Sequence, residues 1–200
     1  MSNEFESWKN DDNKVRELLE GSHVFTEPFD KNVAWKGWEK GRRFILLAIN
    51  KDGSILDYGC ANGFLLRSLQ EWSEHKLEPY GLDIDEKAIA KAKELFQSNA
   101  DHFVTPEEIQ KGKDFPKYFD FVYWNVWDNW KFERPEETDL LKKLQTVTKR
   151  GGRLILGFYD TRGENLKRNE QLKQLGFAPD EIIENPNGEG MLVIFNQSIS

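Results

Sequence analysis

Cysteine is nearly absent from this 200-residue chain. The lone Cys60 has no partner for an internal disulfide or for a cysteine-built zinc cluster, and no metal is expected. Long apolar runs are missing as well. The longest, Phe44 to Ile49, is far too short to span a bilayer. The first residues, Met-Ser-Asn-Glu-Phe-Glu-Ser-Trp, are acidic where a signal peptide is basic and then apolar, so a cytoplasmic protein without a membrane partner is expected. Positive charge is in deficit, with 28 Lys and Arg against 35 Asp and Glu and a net charge of −7. That argues against broad nucleic-acid binding, which needs a basic surface to release counterions. Lys142, Lys143, Lys149, Arg150 and Arg153 form a local exception. They read as the end of a helix and the residues beyond it, where cations complement the helix dipole. No repeat or low-complexity stretch occurs.

Aromatic residues are plentiful, with seven Trp and fourteen Phe. Val15, Leu18 and Leu19 mark a short helix ending at Gly21. A second helix is predicted over Val33–Asn50, with Trp35, Trp38, Ile45, Ala48 and Ile49 near helical spacing. Strands and helices then alternate. Strands are predicted at Ser54–Tyr58, Tyr80–Ile84, His102–Thr105, Phe119–Trp124 and Arg153–Phe158. Helices are predicted over Asn62–Glu74, from the Asp85 cap through Phe96, and over Glu136–Lys149 and Glu164–Leu175. Two last strands, Glu181–Glu184 and Met191–Asn196, flank the turn Asn185-Pro186-Asn187-Gly188. This order predicts an α/β fold, a mostly parallel sheet with helices on both faces and an antiparallel C-terminal edge. The economical reading is one domain, 1–200, with residues 1–50 as a helical cap.

In such sheets ligands bind beyond the carboxyl ends of the strands, where strand order reverses. The loop there is Asp57-Tyr58-Gly59-Cys60-Ala61-Asn62-Gly63. Gly59 and Gly63 permit positive φ and close ligand approach, and the following helix end offers N–H groups to an anion. The spacing is Gly-x-x-x-Gly rather than the Gly-x-Gly-x-x-Gly of dinucleotide sites. A carboxylate at position 57 repels a pyrophosphate but attracts an ammonium or sulfonium, which favours S-adenosylmethionine (SAM). Asp83, 20 residues after Gly63, stands where an acid accepts hydrogen bonds from ribose hydroxyls.

Ile55-Leu56-Asp57-Tyr58-Gly59-Cys60-Ala61-Asn62-Gly63-Phe64, followed by Tyr80-Gly81-Leu82-Asp83-Ile84-Asp85, resembles the first two motifs of class I SAM-dependent methyltransferases. The resemblance covers roughly Gly53 to Phe195 in element order. It implies a seven-stranded sheet with an antiparallel last strand, SAM as cofactor and S-adenosylhomocysteine as product. It also implies that Asp57, Gly59, Ala61 and Gly63 surround the methionine part, Asp83 holds the ribose and Ile84 packs on the adenine. Ala61 departs from the glycine usual there. Cys60 matches the family's small residue rather than a catalytic thiol. Thr105-Pro106-Glu107-Glu108 reads either as an adenine contact or as a helix N-terminus capped by Thr105.

Beyond the fourth strand, Asn125 is the candidate cofactor contact beside the methyl group. Trp127 and Trp130 are candidate substrate walls, or else pack with Trp35 and Trp38 of the cap; Trp35 is carried as a third substrate-side candidate. The Asn/Asp-Pro-Pro-Tyr motif of DNA amine methylation is absent, so the expected acceptor is a small molecule, or less readily a protein side chain, reached by in-line displacement. A base is needed only for a protonated nucleophile; Asp128, Asp160 and His23 are the candidates. Arg42 or Arg43 is placed to pair with the SAM carboxylate. Two alternatives stand: a SAM- or nucleotide-binding protein without turnover, and a nicotinamide-dependent oxidoreductase.

Overall fold

The computed structural model describes residues 3–21 and 29–198. Three helices, α1 (Asn3–Trp8), α2 (Asp12–Glu20) and α3 (Lys31–Arg42), precede the sheet. Aspartates cap α2 and α3: Asp11 accepts from the amides of Asn13 and Lys14, and Asp30 from those of Asn32 and Val33. The continuous helix expected to Asn50 ends at Arg42, and a 3-10 segment, Arg43–Ala48, completes it with Phe44, Ile45 and Ala48 buried. After it come β1 (Gly53–Tyr58), α4 (Phe64–Trp72), β2 (Leu77–Leu82), α5 (Glu86–Leu95), β3 (Phe103–Val104), α6 (Pro106–Gln110) and β4 (Phe119–Asn125). Then follow α7 (Asp139–Thr146), β5 (Thr148–Phe158), α8 (Arg162–Gln174), β6 (Glu181–Glu184) and β7 (Met191–Asn196).

The seven strands lie in the order β3-β2-β1-β4-β5-β7-β6. All neighbouring pairs up to β5 are parallel, and β7 runs antiparallel between β5 and β6. The expected sheet is therefore present, with strand order reversing between β1 and β4. Two strands begin earlier than expected. β2 starts at Leu77 and carries Pro79 inside it. The proline is tolerated because β3 pairs only with Gly81 and Leu82, leaving that side of Pro79 without a strand partner. β5 starts at Thr148, so Lys149 and Arg150 lie on a strand rather than at a helix end.

Strand alternation sorts the core into two layers. Ile55, Phe121, Tyr123, Ile155, Leu192 and Ile194 face α4 and the N-terminal helices, in one cluster with Phe5, Trp35, Trp38 and Phe64. Leu56, Val122, Trp124, Leu154, Leu156 and Val193 face the other way, toward Leu141, Leu144 and Leu172 of α7 and α8. Each such large apolar side chain contributes about 1.5–3 kcal/mol on burial. One helix breaks the pattern. The inward residues of α8 are Asn165, Arg168, Asn169 and Leu172, three of them polar and all buried. Among the described residues no helix is long and apolar enough to cross a membrane.

Candidate functional site

The loop after β1 is folded back on the end of β2. The amides of Gly59 and Cys60 both donate to the Leu82 carbonyl, at 2.7 and 3.2 Å. Gly59 (φ 82°) and Gly63 (φ 75°) take left-handed conformations that glycine allows without cost, whereas Ala61 (φ 48°) takes one that its Cβ opposes. Helix α2 buttresses the loop: the Asn62 carboxamide donates to the Leu18 carbonyl at 2.8 Å, and its oxygen accepts from the Phe64 amide at 3.2 Å. Cys60 is buried, and burial, then the charges of Asp57 and Asp83, push its thiol well above the usual range, as befits a packing residue.

Asp57 is 2% exposed, and its Oδ1 has no hydrogen-bond partner. Burial, then the neighbouring Asp83, raises its pKa from 3.8 to about 7, against the pull of Arg42. Arg42 ends α3 and makes no ion pair among the described residues; it donates to the Gly41 carbonyl at 3.2 Å and also hydrogen-bonds to the Tyr159 side chain. Its guanidinium lies 3.6 Å above the Tyr159 ring and 5.5 Å from that of Trp38. A buried acceptor without a donor and a cation without an anion thus stand near one another at the ends of β1 and α3. Arg43, the alternative cation, instead pairs with Glu39 at 2.6 Å.

Asp83, just beyond β2, accepts from the Ala61 amide at 2.8 Å on one oxygen and from the Asp85 amide at 2.9 Å on the other. Each oxygen keeps a lone pair for a further donor. Asp83 lines a cavity of about 430 Å³ with Tyr58, Ile84, Trp124, Trp127 and Trp130. Ile84 is 85% and Trp127 51% exposed, an unusual state for two large apolar side chains at one mouth. Trp127 and Trp130, expected beside the substrate, are therefore gathered with Asp83 and Ile84. Asn125 ends β4 opposite Gly157, and its carboxamide makes no hydrogen bond among the described residues.

The remaining candidates lie elsewhere. Trp35 is enclosed in the cap, with its ring 5.3 Å from that of Phe5 and 5.7 Å from that of Phe64, so it does not reach the strand ends. Asp160 and Asp128 both face the buried Arg168, at 3.0 and 3.6 Å, and Asp160 also accepts from the Thr161 amide. His23 lies outside the described residues. Thr105 and Glu108 form a reciprocal capping box, so the segment is a capped helix start; Glu108 pairs with Lys93 at 2.8 Å and Glu107 with Lys111 at 2.6 Å. Of the basic cluster, Lys142 pairs with Asp139, Lys149 with Asp120 and Arg153 with Glu181. Among the described residues no group of three or more His, Cys, Asp and Glu is arranged to hold a metal. Sequence reasoning missed Tyr123 and Tyr159, whose hydroxyls meet at 2.8 Å beside Arg42. Strand alternation carried a signal for Tyr123, on the same face of β4 as Asn125.

Comparison with known proteins gives the family. A model described as a methyltransferase domain matches residues 49–187. No curated protein matches by sequence. Among solved structures, the PH0226 protein from Pyrococcus horikoshii OT3 superposes with a TM-score of 0.59 at 18% identity, covering 91% of this chain and 99% of that one. A SAM-dependent methyltransferase from Aquifex aeolicus gives 0.54 at 16%, covering 92% and 97%. A ribosomal protein L11 methylase from Lactobacillus delbrueckii subsp. bulgaricus gives 0.53 at 18%, covering 81% and 79%. With the matched model spanning well over half of its length, and with this strand order, the chain belongs to the methyltransferase-domain family and carries the class I SAM-dependent fold.

Proposed function

We propose that the protein transfers a methyl group from SAM to a small-molecule acceptor, with the cofactor lying along the ends of β2, β1 and β4. The observation that carries this reading is the pair formed by Asp57, whose Oδ1 lacks a donor, and the Arg42 guanidinium, which makes no ion pair among the described residues. A buried acceptor without a partner costs about 1–3 kcal/mol, a cost that an ammonium relieves. Arg42 offers its N–H groups to a carboxylate, so together the two suit a zwitterionic amino-acid end. Asp83 has lone pairs for a vicinal diol, and Ile84 and Trp127 offer apolar faces to a purine. When bound, SAM supplies an electrophilic methyl on its sulfonium.

The protein's part is to hold, orient and exclude water. Asn125, with its free carboxamide, orients the polar atom of the acceptor at the end of β4. Asp128 and Asp160, engaged by Arg168, are not used as bases, so the acceptor arrives as a ready nucleophile or gives its proton to water. The net charge of −7 and the pairing of the basic cluster favour a small acceptor over nucleic acid. The fold itself does not choose, since a relative of the same fold is a ribosomal protein methylase.

Two measurements test the proposal. SAM and S-adenosylhomocysteine should raise the melting temperature while NADH should not. Labelled methyl from SAM should pass to members of a small-molecule panel. Transfer confined to peptides or RNA would overturn the acceptor reading, and the absence of any stabilisation by SAM would overturn the whole.

A further inference from the structure

Behind Arg42 stands a column of side chains outside the cofactor loop. Gly157 on β5 leaves space that a Cβ would take from the Tyr123 hydroxyl. Through that gap Tyr123 meets Tyr159, oxygen to oxygen at 2.8 Å. Tyr159 turns its ring face to Arg42, and Phe44 packs edge-on to it at 6.1 Å. The last turn of α3 is seated from another side, where the Asn185 carboxamide donates to the Lys40 carbonyl at 3.1 Å. Burial pushes the pKa of both phenols up, and the Arg42 charge opposes that rise at both without reversing it. Neither tyrosine is a base at neutral pH. The pair is a neutral strut.

A guanidinium seated on a ring face keeps in-plane N–H groups for an anion, and each N–H given to a carboxylate is spent. Arg42 sits on the Tyr159 ring with no ion pair among the described residues, while Nη2 of Arg168 is already given to Asp160. We propose that Tyr159, propped by Tyr123, is a positioning residue that aims Arg42 at the carboxylate of the cofactor's amino-acid end. It thereby sets a preference for a zwitterionic adenosyl ligand over the bare thionucleoside. This rests on the SAM reading above and adds residues to which that reading assigns no role.

The test compares two ligands by calorimetry. S-adenosylhomocysteine carries the amino-acid end, and 5′-methylthioadenosine is the same thionucleoside without it. Tyr159→Leu should weaken S-adenosylhomocysteine about tenfold, the scale of one charge-assisted hydrogen bond. It should leave methylthioadenosine within about twofold. Tyr159→Phe keeps the stacked ring and should recover most of the loss. Tyr123→Phe, which removes only the strut, should cost about threefold for S-adenosylhomocysteine alone. Arg42→Met should show the full loss, with Tyr159→Leu adding little to it. Equal weakening of both ligands would reduce Tyr159 to a packing residue, and unchanged S-adenosylhomocysteine binding would do the same; either overturns the proposal. If Tyr159→Leu does not fold, the two phenylalanine variants decide by the same comparison. Wild-type protein that binds neither ligand would instead remove the SAM reading underneath.

Discussion

Replacing Asp57 by asparagine keeps the shape of the side chain and removes its charge. In the wild-type protein without ligand this carboxyl is buried, and its pKa rises from 3.8 to about 7. A carboxyl with a raised pKa binds more protons folded than unfolded between those two values. Stability therefore falls as pH rises from about 4 to about 7, and levels off above. At about 1.4 kcal/mol per tenfold change in proton affinity, that rise is worth about 4 kcal/mol as a ceiling. Asp57→Asn should escape this loss. It should match wild type near pH 4 and exceed it near pH 8, by up to that ceiling. The ligand response should run the other way. An ammonium favours ionised Asp57, so wild-type protein should release a proton on binding S-adenosylhomocysteine below about pH 7, with affinity climbing to that pH and then flattening. The variant should bind weakly and without that slope. Urea unfolding across this pH range, with and without S-adenosylhomocysteine, reads both effects. Equal midpoints for variant and wild type near pH 8, or undiminished affinity in the variant, would refute the argument that an uncompensated carboxylate waits at the end of β1.

Other perturbations separate the parts of the molecule. Trp127→Ala should weaken S-adenosylhomocysteine and 5′-methylthioadenosine alike, by about 1–3 kcal/mol if the indole stacks on the base; calorimetry with both ligands checks it, and a loss confined to one would move Trp127 off the nucleoside. At the far end of the strands, Asp120 accepts from the Ser54 amide and hydroxyl and from Lys149. Partial burial works against its charge, but these donors prevail and hold its pKa near 2. Asp120→Ala should cost about 2 kcal/mol of stability with ligand affinity intact. The stability Asp120 contributes is present above pH 3.8 and lost as pH falls through about 2, which acid unfolding of wild type and variant reports. Arg168→Ala should destabilise by about 3–5 kcal/mol by stranding Asp160, while Arg168→Met should recover part of that by filling the space. Faster amide exchange over residues 126–134 should accompany both, because Asp128 and Glu133 of that segment are tied to α8 through Arg168 and Gln171.

The strands were legible because β1 and β4 bury both faces and read as short apolar runs, and the last two strands stand out between turn residues. The turn after β1 was legible for a different reason: the positive φ of Gly59 and Gly63 is needed by local backbone geometry, which their spacing records. Ends of elements were harder. Nothing in Arg43–Ala48 breaks a helix, yet the chain tightens there to bury Phe44 and Ile45. The placement of the tryptophans was harder to read, because their clustering says nothing about which side of a loop they occupy. Trp124 on β4 draws Trp130 edge-on at 5.0 Å, which sets the segment beside the cavity that Asp83 and Ile84 line. Composition hid α8 too, where Asn165, Arg168 and Asn169 read as solvent-facing and are buried instead. Tyr159 acquires meaning only through Arg42, more than a hundred residues earlier in the chain.

The bond from Asn185 to the last turn of α3 bears on the order in which the chain is made. The loop after β1 and Asp83 are in place once the first half of the sheet has formed. The helix that carries Arg42 is anchored early by Trp38, which donates to Ser68 at 2.9 Å, but its last turn gains the Asn185 bond when the turn between β6 and β7 is in place, with β7 between β5 and β6. During synthesis, nucleoside affinity should therefore precede affinity for the amino-acid end. On the proposed reading, a chain paused before residue 185 should hold adenosine-like ligands yet discriminate less among them.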